Sequence, residues 1–403
     1  MVGHVNGFVF YLLLIQSSIN RMNVPLSLAL HADSNHHILP LKGQCVFLFK
    51  ASAICSFHIC DASHTQGLYI CFNRHSVSVK DLTTGQPFID LTNKYGLSSI
   101  PGAYYWFSLD AHSGKLMAGI GEPRFETVHY RYSGLSKKFL EELSLLSHTG
   151  LVPIKILRDP ITKSIPLLVK PNEELSMDDV ASGQVLPKAN LAIVAQKLYD
   201  CISGKKFVLN DPSFPEFSKA IERSIQDPSG WCYQKLLSKA TEFSKDKPNL
   251  LETYLRITLG QNNGESPGIP YVMEIWPPGH YSPVHAHANA NAIIRVLHGS
   301  IHVSLYPFLG PEVRPFAQAD FSEGDITWMS PTLNTIHQLH NIDPTNTCIT
   351  IQCYMYGGKD RLHYDFFDYL DDKGAKQQYD PDSDMDFVAF KALMKAEWYK
   401  DNA

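Results

Sequence analysis

The sequence lacks the cysteine pattern of a zinc ribbon and of a disulfide scaffold. Only eight of its 403 residues are cysteines, and they include no Cys-x-x-Cys pair and no dense group. Both architectures need closely spaced cysteines. Reduced thiols are therefore expected, and with them a cytoplasmic location.

A block of basic residues and a long apolar run are also missing. The formal net charge is -5 and the pI is about 6.4, which gives no general attraction to nucleic acid or to anionic membranes. We therefore expect neither a nucleic-acid nor a membrane partner. The apolar run 8–15 is too short to span a bilayer. It could be the core of a signal peptide, but no Lys or Arg precedes it, and a disordered leader is the favoured interpretation.

Short β-like runs separated by turn residues make up much of the chain. With 44% hydrophobic and 19% charged residues, the protein is expected to have a packed core, and its length allows roughly two or three domains. The runs within 67–132 predict a small antiparallel sheet domain. A short helix candidate at 136–146 and a proline-rich stretch after it predict a boundary.

The second half of the chain combines helical and β patterns. Apolar residues at helical spacing predict helices at 190–203, 214–224 and 232–243. From 251 to 356, regular short strands with Gly-rich turns predict a double-sheet jelly roll, whose mouth can hold a ligand. Beyond Asp360 an acidic stretch is expected to be a solvated loop, followed by a terminal helix at 387–398.

The predicted fold class is mainly β: a jelly-roll barrel preceded by a small helical segment, with an additional N-terminal β-rich domain. The predicted organisation is an unassigned leader (1–66), a β-rich accessory domain (67–134), a linker region (135–185), the jelly-roll domain with its helical segment (186–370), and a C-terminal tail with a short helix (371–403).

Three histidines form a candidate metal site. His285 and His287 stand two residues apart, so on a strand their side chains lie on the same face and can converge on one metal ion. His337 is a third candidate ligand, just upstream of the strand-like run 348–354. Three neutral imidazoles that leave positions open are typical of a catalytic metal site and not of a closed structural one.

The residues around these histidines carry a family resemblance. Gly279-His-Tyr-Ser-Pro-Val-His285-Ala-His287, followed by Gly299, resembles the first cupin motif of cysteine dioxygenase, and His337-Gln-Leu-His-Asn341 resembles the second. Upstream, Asp227-Pro-Ser-Gly-Trp231 and Tyr254-Leu-Arg256 resemble family counterparts in the same order. Tyr354 falls where the family has its active-site tyrosine. The resemblance to these cupin-type thiol dioxygenases runs from 186 to about 368.

This resemblance implies an enzyme and a cofactor. It implies a cupin barrel in which His285, His287 and His337 hold Fe(II), and an oxidoreductase that uses O2 to oxidise L-cysteine to cysteine sulfinic acid. The expected partners are therefore a small thiol, cysteine, and O2, while the sequence indicates no partner for the N-terminal domain. Arg256 and Tyr354 are the implied catalytic residues.

The same resemblance assigns substrate-binding roles to Tyr254, Arg256 and Tyr354. The planar guanidinium of Arg256 suits bidentate pairing with an amino-acid carboxylate. The hydroxyl of Tyr354 can both donate and accept a hydrogen bond.

Two departures from the family pattern stand out. Where animal cysteine dioxygenases have a cysteine that crosslinks to the tyrosine, this chain has Ala292, so no such thioether can form there. The family's serine-histidine-tyrosine relay beyond the metal ligands is represented by Thr350, Gln352 and Tyr354. Glutamine can hold a hydrogen bond to the tyrosine, but it does not titrate near neutral pH.

Two alternatives remain open at the level of sequence. One is a dioxygenase for another small carboxylate thiol, such as 3-mercaptopropionate. Arg256 argues against cysteamine and N-terminal peptide cysteines, which present no free carboxylate. The other is a non-catalytic cupin that binds a metal or a small ligand, since a jelly roll hosts many functions.

Overall fold

The computed structural model describes residues 37–39, 42–89, 96–97, 103–149, 154–244, 246–259, 271–287, 289–356 and 367–400. The chain divides after Ile165 into two compact units. Each unit has its own pair of β-sheets. The apolar run 8–15 lies outside the described residues.

The N-terminal unit consists of antiparallel strands and one short helix. One sheet has the order β1-β10-β3-β4-β5-β6 and the other β11-β2-β7-β8-β9. The elements are β1 (His37–Ile38), β2 (Gln44–Lys50), β3 (Cys55–Cys60), β4 (Gly67–Phe72), β5 (Val77–Asp81), β6 (Pro87–Phe88), β7 (Tyr104–Asp110), β8 (Lys115–Ile120), β9 (Val128–Ser133), α1 (Lys137–Glu142), β10 (Leu145–His148) and β11 (Ile154–Leu157).

Aromatic side chains from both sheets form the core of this unit. The ring of Phe49 on β2 lies 4.7 Å from that of Phe57 on β3 and 5.0 Å from that of Phe72 on β4. Since β2 belongs to one sheet and β3 and β4 to the other, the sheets pack face to face as a sandwich. The predicted β-rich domain is therefore a two-sheet sandwich.

The sandwich extends beyond the boundaries predicted from the sequence. Strands β2 and β3 lie within 1–66, for which the sequence predicts only an unassigned leader. Strands β10 and β11 lie within the predicted linker region. Both β2 and β3 are buried along almost their whole length, so they lack the alternation that marks a half-buried strand. The predicted helix at 136–146 ends at Glu142 because 145–148 pairs with β3 instead.

The C-terminal unit contains two larger sheets and five helices among the described residues. The sheets have the orders β13-β12-β20-β17-β22-β15-β14-β25 and β19-β18-β21-β16-β23-β24. The strands are β12 (Leu168–Lys170), β13 (Val185–Pro187), β14 (Leu255–Leu259), β15 (Tyr271–Trp276), β16 (His285–Ala286), β17 (Asn291–His298), β18 (Ser300–Leu305), β19 (Ala317–Ser322), β20 (Ile326–Met329), β21 (Ile336–His340), β22 (Cys348–Met355), β23 (Phe367–Leu370), β24 (Lys376–Tyr379) and β25 (Met385–Asp386). The helices are α2 (Met177–Ser182), α3 (Ile193–Ile202), α4 (Phe217–Gln226), α5 (Trp231–Ser238) and α6 (Phe387–Lys400).

The core of this unit lies between its two sheets. Trp276 and Val296 from the eight-stranded sheet pack in one buried cluster with Val303 and Leu339 from the six-stranded sheet. Strands far apart in sequence pair side by side, such as β15 with β22 and β18 with β21, as the crossing connections of a jelly roll require. The predicted fold class, a mainly β protein with a jelly-roll barrel, a helical segment before it and an N-terminal β-rich domain, is confirmed.

The helices of the C-terminal unit cover the outside of the barrel. The thiol of Cys353 donates a hydrogen bond to the carbonyl oxygen of Leu198 on α3 at 3.4 Å, which places Cys353 on the outer face of β22. Helix α6 packs on α4 through Phe390 and Phe217, and the predicted terminal helix is confirmed. No helix in the described ranges is long and apolar enough to cross a membrane.

The tail also contributes to the barrel. Beyond 370, strand β24 pairs with β23 and strand β25 pairs in parallel with β14. Phe367 and Tyr369 on β23 are buried. The acidic segment is therefore partly a barrel strand and not only a solvated loop, because its apolar residues alternate with the acidic ones.

At one position of the first cupin-like motif, only glycine fits sterically. Gly299 lies between β17 and β18 with a φ of 70°, and a Cβ added there would lie 2.6 Å from the carbonyl oxygen of Thr347. The backbone conformation and the close approach both select glycine at this turn.

Replacing Gly299 by Ala is expected to lower the free energy of unfolding of the C-terminal unit by about 2 kcal/mol or more, because strain and a clash with backbone add. Gly183 is a matched control, with a φ of 66° and no atom within 4 Å of an added Cβ. Chemical denaturation of Gly299→Ala and Gly183→Ala measures the difference. Equal destabilisation of the two variants would contradict the clash.

Candidate metal centre

Strand pairing brings the three predicted histidines together inside the barrel. β16 lies between β21 and β23, and His285 is the direct cross-strand partner of His337. His287 follows β16 directly. The Nε2 atom of His287 lies 2.9 Å from Nε2 of His285 and 3.2 Å from Nε2 of His337. The three side chains are 8%, 4% and 7% exposed in chain order.

Hydrogen bonds to the backbone show which nitrogen of an imidazole carries the proton. Nδ1 of His285 lies 3.0 Å from the carbonyl oxygen of Pro283, which can only accept, so Nδ1 carries the proton and Nε2 presents a lone pair. His337 is held in a similar way by a hydrogen bond to the backbone of Asn334. Nδ1 of His287 is buried and has no hydrogen-bond partner among the described residues.

Burial keeps all three imidazoles neutral. It lowers the pKa of His285 to about 4, and Arg256 acts in the same direction. Burial, together with the neighbouring imidazoles, lowers the pKa of His287 and of His337 well below the usual range. Neutral imidazole is the form that binds a metal.

The donor set therefore fits one metal ion. Two nitrogens bound at about 2.1 Å and at a right angle to each other are about 3.0 Å apart, close to the Nε2 separations of the triad. The ligand atoms of the three histidines all lie within 4.8 Å of one another. His285, His287 and His337 could hold a metal, and as only three ligands they would leave coordination positions open.

A buried ion pair lies beside the triad. Arg256 on β14 is the cross-strand partner of Glu274 on β15, and its Nη1 donates to Oε1 of Glu274 at 2.7 Å. The two residues are 6% and 4% exposed. Nε of Arg256 is buried without a hydrogen-bond partner in the described part of the chain. The guanidinium predicted to bind a substrate carboxylate is thus already paired on one side.

Two further side chains extend this pair into a buried network, which comprises Arg256, Glu274, Gln352 and Tyr354. Nε2 of Gln352 donates to Oε2 of Glu274, and the hydroxyl of Tyr354 donates to Oε1 of Gln352. The ring of Tyr354 stacks 5.7 Å from that of His287. The predicted hydrogen bond between Gln352 and Tyr354 is confirmed.

Burial and neighbouring charges shift the pKa values of the groups in this network. Burial acts to lower the pKa of Arg256, but the Glu274 charge and the neighbouring tyrosines together raise that pKa, so the guanidinium stays charged. Burial raises the pKa of Glu274, while Arg256 and Gln352 oppose the rise. Burial and the Glu274 charge raise the pKa of Tyr354 well above its usual range, so its hydroxyl keeps its proton.

The other predicted site residues surround Trp276. The ring of Tyr254 stacks on Trp276 at 4.3 Å. The hydroxyl of Thr350 accepts a hydrogen bond from the Trp276 indole at 3.4 Å. Ala292 is the cross-strand partner of Tyr354, so the position at which the family has its crosslinking cysteine lies directly beside the tyrosine. Asn341 donates to the carbonyl oxygens of Trp276 and Asn346, both at 2.8 Å, which ties the ends of two barrel strands together.

A small cavity joins the triad to the ion pair. Its lining comprises Tyr254, Arg256, Glu274, Trp276, His285, His287, His337, Leu339, Gln352 and Phe367. A second, apolar cavity in the same barrel shares His337, Leu339 and Gln352 with it. Tyr354 lies behind Gln352, and its predicted contact with substrate stays a prediction.

Sequence reasoning missed Glu274 and Phe367. Glu274 stands in the otherwise apolar run Tyr-Val-Met-Glu-Ile-Trp of β15, and a charged residue in the middle of a buried strand is a signal that could have been used. Phe367, whose ring lies 4.3 Å from that of His287, follows an acidic stretch and carried no such signal.

No protein-family model matches the chain. Among solved structures, the chain is similar to an oxalate oxidase in complex with the substrate analogue glycolate (16% identity, 26% of this chain and 52% of that chain, TM-score 0.22). It is also similar to the cupin domain of Schizosaccharomyces pombe Cnp3 (12%, 26% and 65%, TM-score 0.21) and to a cupin superfamily protein from Desulfitobacterium hafniense (11%, 26% and 79%, TM-score 0.20). The match spans about half the length of the oxalate oxidase. The resemblance to cysteine dioxygenase rests on the sequence motifs alone.

The fold and the site together define a class: a jelly-roll protein with a buried three-histidine cluster that could hold a metal. The barrel comes from the pairing of the strands and the cluster from the convergence of three neutral imidazoles.

Substituting His337 by Ala is expected to lower metal affinity by more than about tenfold, because one of three ligands is lost. His340→Ala is the matched control, since His340 lies on the same strand and its ring contacts Tyr281 instead. Metal content after dialysis, measured by mass spectrometry, tests both variants. Full retention of metal by the His337 variant would make the assignment wrong.

A double-mutant cycle tests the buried ion pair. Glu274→Leu leaves the Arg256 charge buried and unpaired, so the free energy of unfolding is expected to fall by about 3–5 kcal/mol. Adding Arg256→Met removes that charge and should recover a large part of the loss. Urea denaturation of the two single variants and the double variant gives the coupling energy. Simply additive effects would show that the two charges do not interact.

Proposed function

We propose that this chain is an iron-dependent thiol dioxygenase that oxidises L-cysteine with O2 to cysteine sulfinic acid. The observation that carries the proposal is the convergence of three neutral imidazoles beside a charged arginine on the wall of one small cavity. The motifs around His285, His287 and His337 support the same assignment.

The chemistry needs one redox metal and no further reductant. Fe(II), held by the three histidines, would supply the redox chemistry that lets dioxygen react with a thiol. In the overall reaction both atoms of O2 form bonds to the sulfur, the sulfur gives up four electrons, and the thiol proton is retained by the sulfinic acid. No leaving group has to be accommodated, which suits a closed cavity.

The residues of the chain would bind and orient the substrate. The guanidinium of Arg256 is charged and borders the cavity, so it can hold a substrate carboxylate. Its Nε still has a hydrogen-bond donor to offer. Trp276, Leu339 and Phe367 line the same space and would limit the entry of water. Tyr254 and Tyr354 fix the positions of Trp276 and Gln352.

The proposed partners are therefore a small thiol and dioxygen, in the cytoplasm. The eight cysteines are all unpaired, which favours a reducing compartment. No nucleic-acid or membrane partner is proposed, and the ligand of the N-terminal sandwich is left open.

A second candidate function is a cupin that binds a metal or a small ligand without catalysis. Two observations favour it: Glu274 already occupies one side of Arg256, and Gln352, which does not titrate near neutral pH, holds Tyr354. Such a protein would bind metal and ligand without turning the ligand over.

Incubating iron-loaded protein aerobically with L-cysteine, 3-mercaptopropionate and cysteamine in parallel is expected to give sulfinate from L-cysteine first. Mass spectrometry detects the product as the thiol with two added oxygen atoms, and His337→Ala protein serves as the control without a complete metal site. Preferred oxidation of another thiol would change the substrate assignment. Absence of any product from iron-loaded protein would favour the non-catalytic candidate.

A further inference from the structure

We propose that Glu274 determines which class of thiol this site accepts: with Arg256 it recognises a thiol that carries both an ammonium and a carboxylate group, and it disfavours thiols that carry a carboxylate alone. The inference rests on the proposed function and names its substrate class. L-Cysteine belongs to the first class and 3-mercaptopropionate to the second.

Glu274 lies where a substrate would meet it. It lines the same cavity as Arg256 and the three histidines, on the strand next to that of Arg256. Burying a carboxylate costs several kcal/mol of solvation, and the flanking Met273 and Ile275 are apolar and buried. The acid is held there by the groups that bind it, Arg256 on one oxygen and Gln352 on the other.

Both members of the ion pair keep unused hydrogen-bonding capacity. A carboxylate offers about four acceptor positions, and Glu274 accepts one hydrogen bond on each oxygen from the described residues, from Arg256 and from Gln352. Arg256 keeps its buried Nε donor without a partner in the described residues. The pair can therefore accept from an ammonium group on one side and donate to a carboxylate on the other.

The ion pair also favours a zwitterion. A substrate carboxylate bound at Arg256 would lie close to the Glu274 carboxylate, which is hydrogen-bonded to the same guanidinium, and like charges at close range are disfavoured. An ammonium group on the same substrate can pair with Glu274 and offset this repulsion. A thiol with a carboxylate alone has no such group.

A purely structural role is the competing explanation, in which Glu274 only neutralises Arg256. The two explanations differ in what Glu274→Gln does. If Glu274 only blocks Arg256, the variant gains affinity for every carboxylate thiol to the same extent. If Glu274 also binds the ammonium group, the variant gains affinity for 3-mercaptopropionate but not for L-cysteine.

The test is anaerobic calorimetric titration of zinc-loaded protein, in which the thiols bind but are not oxidised. We expect the wild-type protein to bind L-cysteine more tightly than 3-mercaptopropionate, and Glu274→Gln to reduce the ratio of the two affinities by at least about tenfold. Glu242→Gln is the matched control, because Glu242 accepts from Tyr379 and does not line the cavity. Glu274→Asp keeps the charge and should keep the preference for cysteine.

Three results would overturn the inference. Tighter binding of 3-mercaptopropionate by the wild-type protein would do so without any variant. An unchanged affinity ratio in Glu274→Gln protein that retains zinc would overturn it and leave the proposed function standing. If the zinc-loaded protein bound none of the thiols, the inference and the proposed function would both fail. If the zinc-loaded protein showed the expected affinity ratios but iron-loaded protein formed no sulfinate, only the dioxygenase activity would be ruled out.

Discussion

The hydrogen-bonded pairing of Arg256 with Glu274 is the interaction on which the rest of the site depends. An arginine stays charged even when it is buried, so this barrel could not enclose Arg256 without a carboxylate beside it. Direct cross-strand pairing of β14 with β15 provides that carboxylate. Glu274 in turn fixes Gln352, and Gln352 fixes Tyr354 next to His287. The polar wall of the cavity is thus one connected unit.

The convergence of the three histidines could be predicted from the sequence because their geometry is mostly local. His285 and His287 share a face through the two-residue period of a strand, and His337 lies in a recognisable second motif. Glu274 could not be assigned in the same way. Its role depends on which strand pairs with β15 and in which register, and both are set by the packing of the whole barrel. The sequence therefore indicated a substrate-binding role for Arg256 without naming a partner, whereas the fold pairs it with Glu274.

The fold class was predictable for a similar reason, and the domain boundaries were not. Strands β15 and β20, for example, lie within the stretch 251–356 that was predicted to form regular short strands. The strands that escaped prediction are buried on both sides, like β2, or pair only with a distant strand, as β25 pairs with β14. Neither feature leaves a periodic signal. Residues that looked like a leader or a tail therefore proved to be parts of the two units.

The hydrogen bonds from Tyr354 through Gln352 to Glu274 all run in one donor-to-acceptor direction, and Glu274 determines that direction. A carboxylate can only accept, so the amide of Gln352 must turn its NH2 group toward Glu274 and its oxygen toward Tyr354. That oxygen can only accept in turn, so the Tyr354 hydroxyl must donate to it. With a histidine at this position, the proton could move along the chain of hydrogen bonds. With glutamine the proton stays on Tyr354, and the network orients groups around the metal site without passing protons through it.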